Sequence, residues 1–349
     1  MSKRSIAADL AKGIGIILVV YGHALRGLVS ANIISPESHI NFTDYYIYTF
    51  HMPLFFIISG SFFKINREPG SEAAFFSGNI KKIVYPYFLW SIIQGCIQIA
   101  MSGSATTNRS MEPSRLLEIA WNPISPFWFL YALFFSQLIW FLIRDRLKPE
   151  IVLAAAFVIF LALRLAGAPQ TLEDVGYGFL YFSLGIWLSQ QGIMERLPTS
   201  WLAAIGAALV GLALTVGCYL LGVPERLPFV AAIANLVAVL SICRAIEAHA
   251  PASWTTKFLV LFGQCSMGIY VLHIMVIGVV RFAETRVLGV HNEAALLVSL
   301  VIAGILIPTI IQLVAIYLRV QNLVGLPASA TLFKRKPNQT LAASEAKTG

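Results

Sequence analysis

The chain has 349 residues, 58% of them hydrophobic and only 12% charged, with a mean hydropathy of +0.76. A soluble globular domain carries about 25% charged residues, so the composition excludes that class and predicts a polytopic membrane protein. The net charge of +8 does not point to nucleic acid, because Lys and Arg form no dense run and fall mainly in alternate loops, as topology requires.

About ten apolar stretches of bilayer-spanning length follow one another. The first, Ile6 to Ser30, comes after Lys3 and Arg4 as a signal peptide would. Lys12 interrupts it and no small-residue cleavage pattern follows, so it reads as an uncleaved first helix. The next are Asp44 to Lys64, Asn79 to Met101, Pro126 to Ile143, Ile151 to Ala166 and Val175 to Gln190. The last four are Trp201 to Leu221, Leu227 to Ile246, Phe258 to Phe282 and Ala294 to Leu318. No segment alternates with period two strongly enough for an outer-membrane barrel. The expected fold class is therefore all-α, a membrane helix bundle. With the N-terminus inside, most Lys and Arg residues fall in inner segments, so both termini are expected to be cytoplasmic. Residues 1–327 form the expected transmembrane domain, and the polar stretch 328–349 a disordered tail. Cys96, Cys218, Cys243 and Cys265 lie within or beside apolar segments without a CxxC pair, and read as core thiols.

The first span carries Asp9, Lys12 and His23 inside itself. Ionisable groups in hydrocarbon are costly and point to function. Lys12 and His23 stand eleven positions apart, which places them on one helical face about 16 Å apart along the axis. The remaining helices are expected to build a cavity around that face. Asp9, one turn before Lys12, is placed for a local ion pair with it.

His51 and His273 fall at the same outer depth as His23 when counted along their spans, while His39, His249 and His291 lie in or beside loops. The three intramembrane histidines admit a structural role, each bonding a neighbouring helix, a zinc site, or a catalytic or binding role. No HxxxH pair or intramembrane carboxylate accompanies them, so no metal is expected. In the second span Pro53 frees a carbonyl, and Ser59-Gly60 permits either close packing or a site contact. Trp121, Trp128 and Tyr131, near the long outer loop Gly103 to Ser125, suit an interfacial belt or a wall against sugar rings.

The segments DLAKGIGIILVVYGH (Asp9 to His23), FHMPLFFIISGSFF (Phe50 to Phe63), KKIVYPYFLW (Lys81 to Trp90), FWFLYAL (Phe127 to Leu133) and GQCSMGIYVLH (Gly263 to His273) are spread over most of the chain. In that order they resemble the acyltransferase-3 family of bacterial integral-membrane O-acyltransferases, in particular its stand-alone sugar acetylators. The family pattern has a basic residue, usually Arg, eleven positions before a first-helix His; Lys12 and His23 keep the spacing with Lys in place of Arg. It also has two basic residues three apart before the third helix. Lys82 matches the second, Asn79 stands where the first would be, and Lys81 is the alternative.

The resemblance implies acyl transfer, most often of acetyl from acetyl-CoA, to a hydroxyl of a cell-surface polysaccharide, an exopolysaccharide or a lipid-linked precursor. It implies a place in the bacterial inner membrane beside glycan-assembly proteins. His23 is then the general base, with Lys12, Asp9, His51, Ser59 and His273 supporting it or binding substrate. Lys81, Lys82, Arg144 and Lys148 at the inner mouths of the third and fourth spans can meet coenzyme phosphates, although as topology determinants they need no ligand. The competing reading is a proton-coupled transporter, which needs intramembrane Lys and His equally, although the sequence contains no internal repeat.

Overall fold

The structure, a computed structural model, describes residues 6–35, 40–63, 71–101 and 111–327. His39, Lys64 and the tail 328–349 lie outside the described residues, as does much of the long outer loop. All regular structure among the described residues is helical. The helices are α1 (Ile6–Ser30), α2 (Ile40–Ser61), α3 (Ser71–Asn79), α4 (Tyr85–Ala100), α5 (Trp128–Ile143), α6 (Pro149–Leu165) and α7 (Gln170–Gln190). They continue with α8 (Ile193–Arg196), α9 (Trp201–Leu220), α10 (Phe229–His249), α11 (Trp254–Gln264), α12 (Ser266–Phe282) and α13 (Glu293–Tyr317). A π-helical turn, Ile80–Val84, joins α3 to α4, and a second, Ala283–Val287, extends α12.

Six described stretches are long and apolar enough to cross a membrane: Ile6–Ser30, Glu72–Ala100, Trp201–Leu220, Phe229–His249, Ser266–Val287 and Glu293–Tyr317. The chain is thus a multi-pass membrane protein. Helices also occupy the other expected spans, but α5 and α6 are short, at 16 and 17 residues. α2 and α7 carry polar residues at the ends where Asp44 and Glu173 lie. Leu202, Leu209 and Val210 on α9 and Val298, Ile302 and Ile310 on α13 point outward. Apolar side chains on the outside are favourable only where the solvent is lipid.

The expected ninth span is corrected. Phe258 to Phe282 is not one helix: α11 ends at Gln264 and α12 begins at Ser266, with buried Cys265 between them. Small residues set the packing on either side of this break. A Cβ on Gly263 would lie 1.9 Å from the Asp9 carbonyl oxygen, and one on Gly13 would lie 2.1 Å from that of Leu259. α1 and α11 therefore touch backbone to backbone. Beyond the break, the Gly268 N–H donates to the Gln312 side chain on α13 at 3.2 Å. α1 thereby becomes the central post, packed by α2, α10, α11, α12 and α13. A second glycine contact fixes α2 on α7, where Gly60 meets the Phe182 carbonyl and Gly185 meets that of Ile57.

Candidate active site

The end of the bundle where α1 finishes at Ser30 and α2 begins is the one that the Lys and Arg distribution leads one to expect on the outside. A cavity of about 700 Å³ lies there, lined by His23, Arg26, Tyr48, His51, Trp128 and Glu225 among others. That volume falls within the roughly 300–1,000 Å³ of small-molecule sites.

α1 and α2 bring His23 and His51 to its wall, while α12 places the fully buried His273 beside His23 and outside the lining. The rings of His23 and His273 are 5.0 Å apart between centres. Tyr48 links His23 to His51, with ring centres 6.4 Å from the first and 4.6 Å from the second. The His51 Nδ1–H donates to the Ile47 carbonyl at 2.7 Å, and the His273 Nδ1–H to that of Tyr270 at 2.7 Å. Because a carbonyl only accepts, each Nδ1 carries a proton, and in the neutral ring Nε2 keeps its lone pair. The Nε2 of His273 is buried and without a partner among the described residues.

Charged groups close the outer side. Arg26, one turn beyond His23, donates from Nε and Nη2 to Asp44 at 2.9 and 2.7 Å, and from Nη2 to Glu225 at 2.8 Å. Its guanidinium carbon lies 3.2 Å from the Tyr48 ring centre. A single residue therefore ties α1 to α2 and to the segment before α10. Nearby, Arg226 pairs with Asp174 at 2.5 Å and sits 5.1 Å from the Trp128 ring centre.

Other residues expected at the site lie elsewhere. Asp9, Lys12, Ser59, Lys81, Lys82, Arg144 and Lys148 are absent from the cavity lining. The expectation of one cavity around both Lys12 and His23 is thereby corrected. Between them, at Gly15, α1 lies so close to α2 that a Cβ would be 3.0 Å from the Phe55 ring and 3.2 Å from Leu54. Asp9 accepts from Gln264 at 3.4 Å. Ser59 precedes Gly60, the residue packed on α7, and Trp121 and Tyr131 stand outside the cavity that Trp128 lines.

Lys81 and Lys82 are exposed on the π-helical turn, which packs on α5. α5 leads into Arg144, which lies 3.2 Å from Asp145, and exposed Lys148 follows shortly after. The stacking of Phe75 on Phe141, 4.4 Å between centres, holds α3 to the same end of α5. This exposed basic edge is chemically compatible with phosphate groups. Among the described residues, no group of three or more His, Cys, Asp and Glu side chains is arranged to hold a metal.

Arg26, Tyr48, Asp44, Glu225, Arg226 and Asp174 went unremarked as site residues in the sequence. The available signal was the spacing of Arg26, three positions after His23, which puts both on one side of α1.

An all-helical membrane bundle with a histidine-lined cavity toward one face defines the broad class. A family model described as an acyltransferase domain matches residues 5–313, and the chain belongs to that acyltransferase-3 family. It is similar to nodulation protein NolL of Sinorhizobium fredii, with 30% identity over 205 residues, covering 57% of this chain and 52% of that protein. It is likewise similar to nodulation protein NolL of Mesorhizobium japonicum, with 30% identity over 203 residues, covering 54% and 49%. The chain thus spans about half the length of the curated relatives it matches. No solved structure matches it.

Proposed function

We propose that the protein is an inner-membrane O-acyltransferase that moves an acyl group, acetyl in the first instance, from acyl-CoA to a hydroxyl of a cell-surface glycan or its lipid-linked precursor. The observation that carries this reading is His23 on the wall of a ligand-sized cavity, beside a buried imidazole whose Nε2 has no partner among the described residues. Membership of the family supports the reaction class. A hydroxyl attacks poorly until its proton is removed, and a positioned imidazole contributes about 10²–10⁴-fold to that step.

His273 Nε2 keeps its lone pair because the opposite nitrogen donates to the Tyr270 carbonyl, and it has no partner among the described residues, the two rings standing 5.0 Å apart between centres. We assign it to accept a His23 ring N–H once substrate is bound, which leaves the other His23 nitrogen bare toward the cavity, as in a base oriented by a third group. His23 takes the hydroxyl proton as the oxygen bonds to the acyl carbon and the carbon–sulfur bond of the thioester breaks. His23 then returns the proton to the departing sulfur. Tyr48, its hydroxyl buried without a partner among the described residues, can donate to the oxygen that gains charge. Lys81, Lys82, Arg144 and Lys148 are assigned to the coenzyme phosphates at the inner face, where the donor supplies the activated acyl carbon.

The experiment is transfer of labelled acetyl from acetyl-CoA to the host glycan by membranes carrying wild type or His23→Ala. Loss of about 10²-fold or more in the variant is expected. Full transfer by His23→Ala rejects the mechanism, and proton-coupled solute flux without acylation would establish the transporter instead.

A further inference from the structure

Beside the histidine cavity lies a second one of about 410 Å³, also within the roughly 300–1,000 Å³ range of small-molecule sites. Its polar wall is Arg164, Gln170, Asp174, Glu225 and Arg226, with Trp128 as its apolar side. Trp128, Glu225 and Arg226 also line the first cavity, so the two compartments adjoin.

Asp174 is the informative residue. It is only 5% exposed, yet it lines this compartment. Its Oδ1 accepts from Arg226 at 2.5 Å and from Gln170 at 2.8 Å, while Oδ2 accepts from none of the described residues. Glu225, half-buried, also has one oxygen engaged, Oε2 accepting from Arg26, and one, Oε1, that accepts from none of the described residues. Carboxylate oxygens open to a cavity and held in place by their partner oxygens are preset acceptors for a ligand hydroxyl. Charge narrows the ligand further. The two guanidiniums in the wall are each already paired, Arg226 with Asp174 at 2.5 Å and Arg164 with Glu173 at 2.8 Å, and Glu225 is taken up by Arg26. An acidic group would find no surplus cation, whereas a neutral polyol finds fixed acceptors.

We infer that the acceptor is a neutral oligosaccharide bound across both compartments, with the residue to be acylated at His23 and the adjoining residue in the Asp174 compartment. The inference rests on the glycan-acyltransferase reading and extends it from a sugar hydroxyl to a chain of at least two units. A single sugar seated at His23 leaves the Asp174 compartment unoccupied. The enzyme therefore selects by chain length through contacts remote from the reacting atom, where binding energy can position the reacting hydroxyl.

The test measures binding and transfer separately on the full chain in nanodiscs. The probes are neutral fragments of one to four residues, prepared by de-esterifying and partially hydrolysing the host's own surface polysaccharide. Wild type is expected to bind two-residue fragments at least tenfold more tightly than single residues. Asp174→Asn, which keeps an acceptor for Arg226 but replaces the charge, should remove about tenfold of that gain. Gln170→Trp at the exposed rim, which covers the compartment and leaves the Arg226 pair in place, should remove it without depending on how Asp174→Asn folds. Equal affinity for one and two residues, no binding by any fragment, or an undiminished gain in both variants overturns the inference. Tighter binding of the two-residue fragment after its primary hydroxyl is oxidised to a carboxylate also overturns it. Chain-length-dependent binding with no acetyl transfer would leave the compartment standing and reject the enzyme reading. Transfer indifferent to chain length would do the reverse.

Discussion

The contact between α2 and α7 makes a quantitative prediction, because α2 carries Tyr48 and His51 to the cavity. Replacing Gly185 by Ala puts a Cβ 2.2 Å from the carbonyl oxygen of Ile57 and 2.8 Å from its Cα. Ordinary contact begins at 3.4 Å, so the helices must part by about 1.2 Å there. Neither clashing atom is a flexible side-chain tip; both are backbone. Overpacking of this kind costs about 1–3 kcal/mol. The Ser61 hydroxyl, which donates to the Gly185 carbonyl at 3.1 Å, is carried away with it. His51 lies six residues from Ile57, about 9 Å along the same helix, so the displacement reaches the site. A shift of about 1 Å in a reacting constellation can cost on the order of 10²-fold in rate. Gly185→Ala should therefore lower both the unfolding midpoint in denaturing detergent and acetyl transfer. Gly206→Ala is the control: nothing lies within 4 Å of its added Cβ, and helix propensity gives up to about 1 kcal/mol in its favour. A Gly185→Ala protein as stable and as active as wild type would refute the backbone-contact argument.

Two further outcomes follow from the site. His273→Ala should lower the turnover number by about 10-fold or more while leaving the KM for the glycan little changed, and His273→Gln, which retains an acceptor, should recover part of it. Steady-state transfer kinetics against glycan concentration check this, and a purely structural His273 would show no difference between the two variants once folding is matched. Arg26→Ala should destabilise by about 1 kcal/mol only, since the Arg26 side chain is 41% exposed and its pairs are screened. The loss should shrink at high salt in detergent unfolding, and Arg26→Lys should not restore it fully, because a lysine cannot make the two-pronged contact with Asp44.

The continuous apolar runs were legible, since crossing hydrocarbon fixes both their length and their composition; α1 occupies the stretch Ile6–Ser30 on which the sequence reading rests. The break at Cys265 was not, because no proline or charge marks it, and the residues on either side of it pack on Asp9 and Gln312, far away in the chain. The outer cluster was missed for a related reason. Hydropathy treats charges near span ends as solvated, while Arg26 and Glu225 pair across 199 positions. Periodicity put Lys12 and His23 on one side of α1, but it carries no information about what fills the space between them. Leu54 and Phe55 fill it, against Gly15.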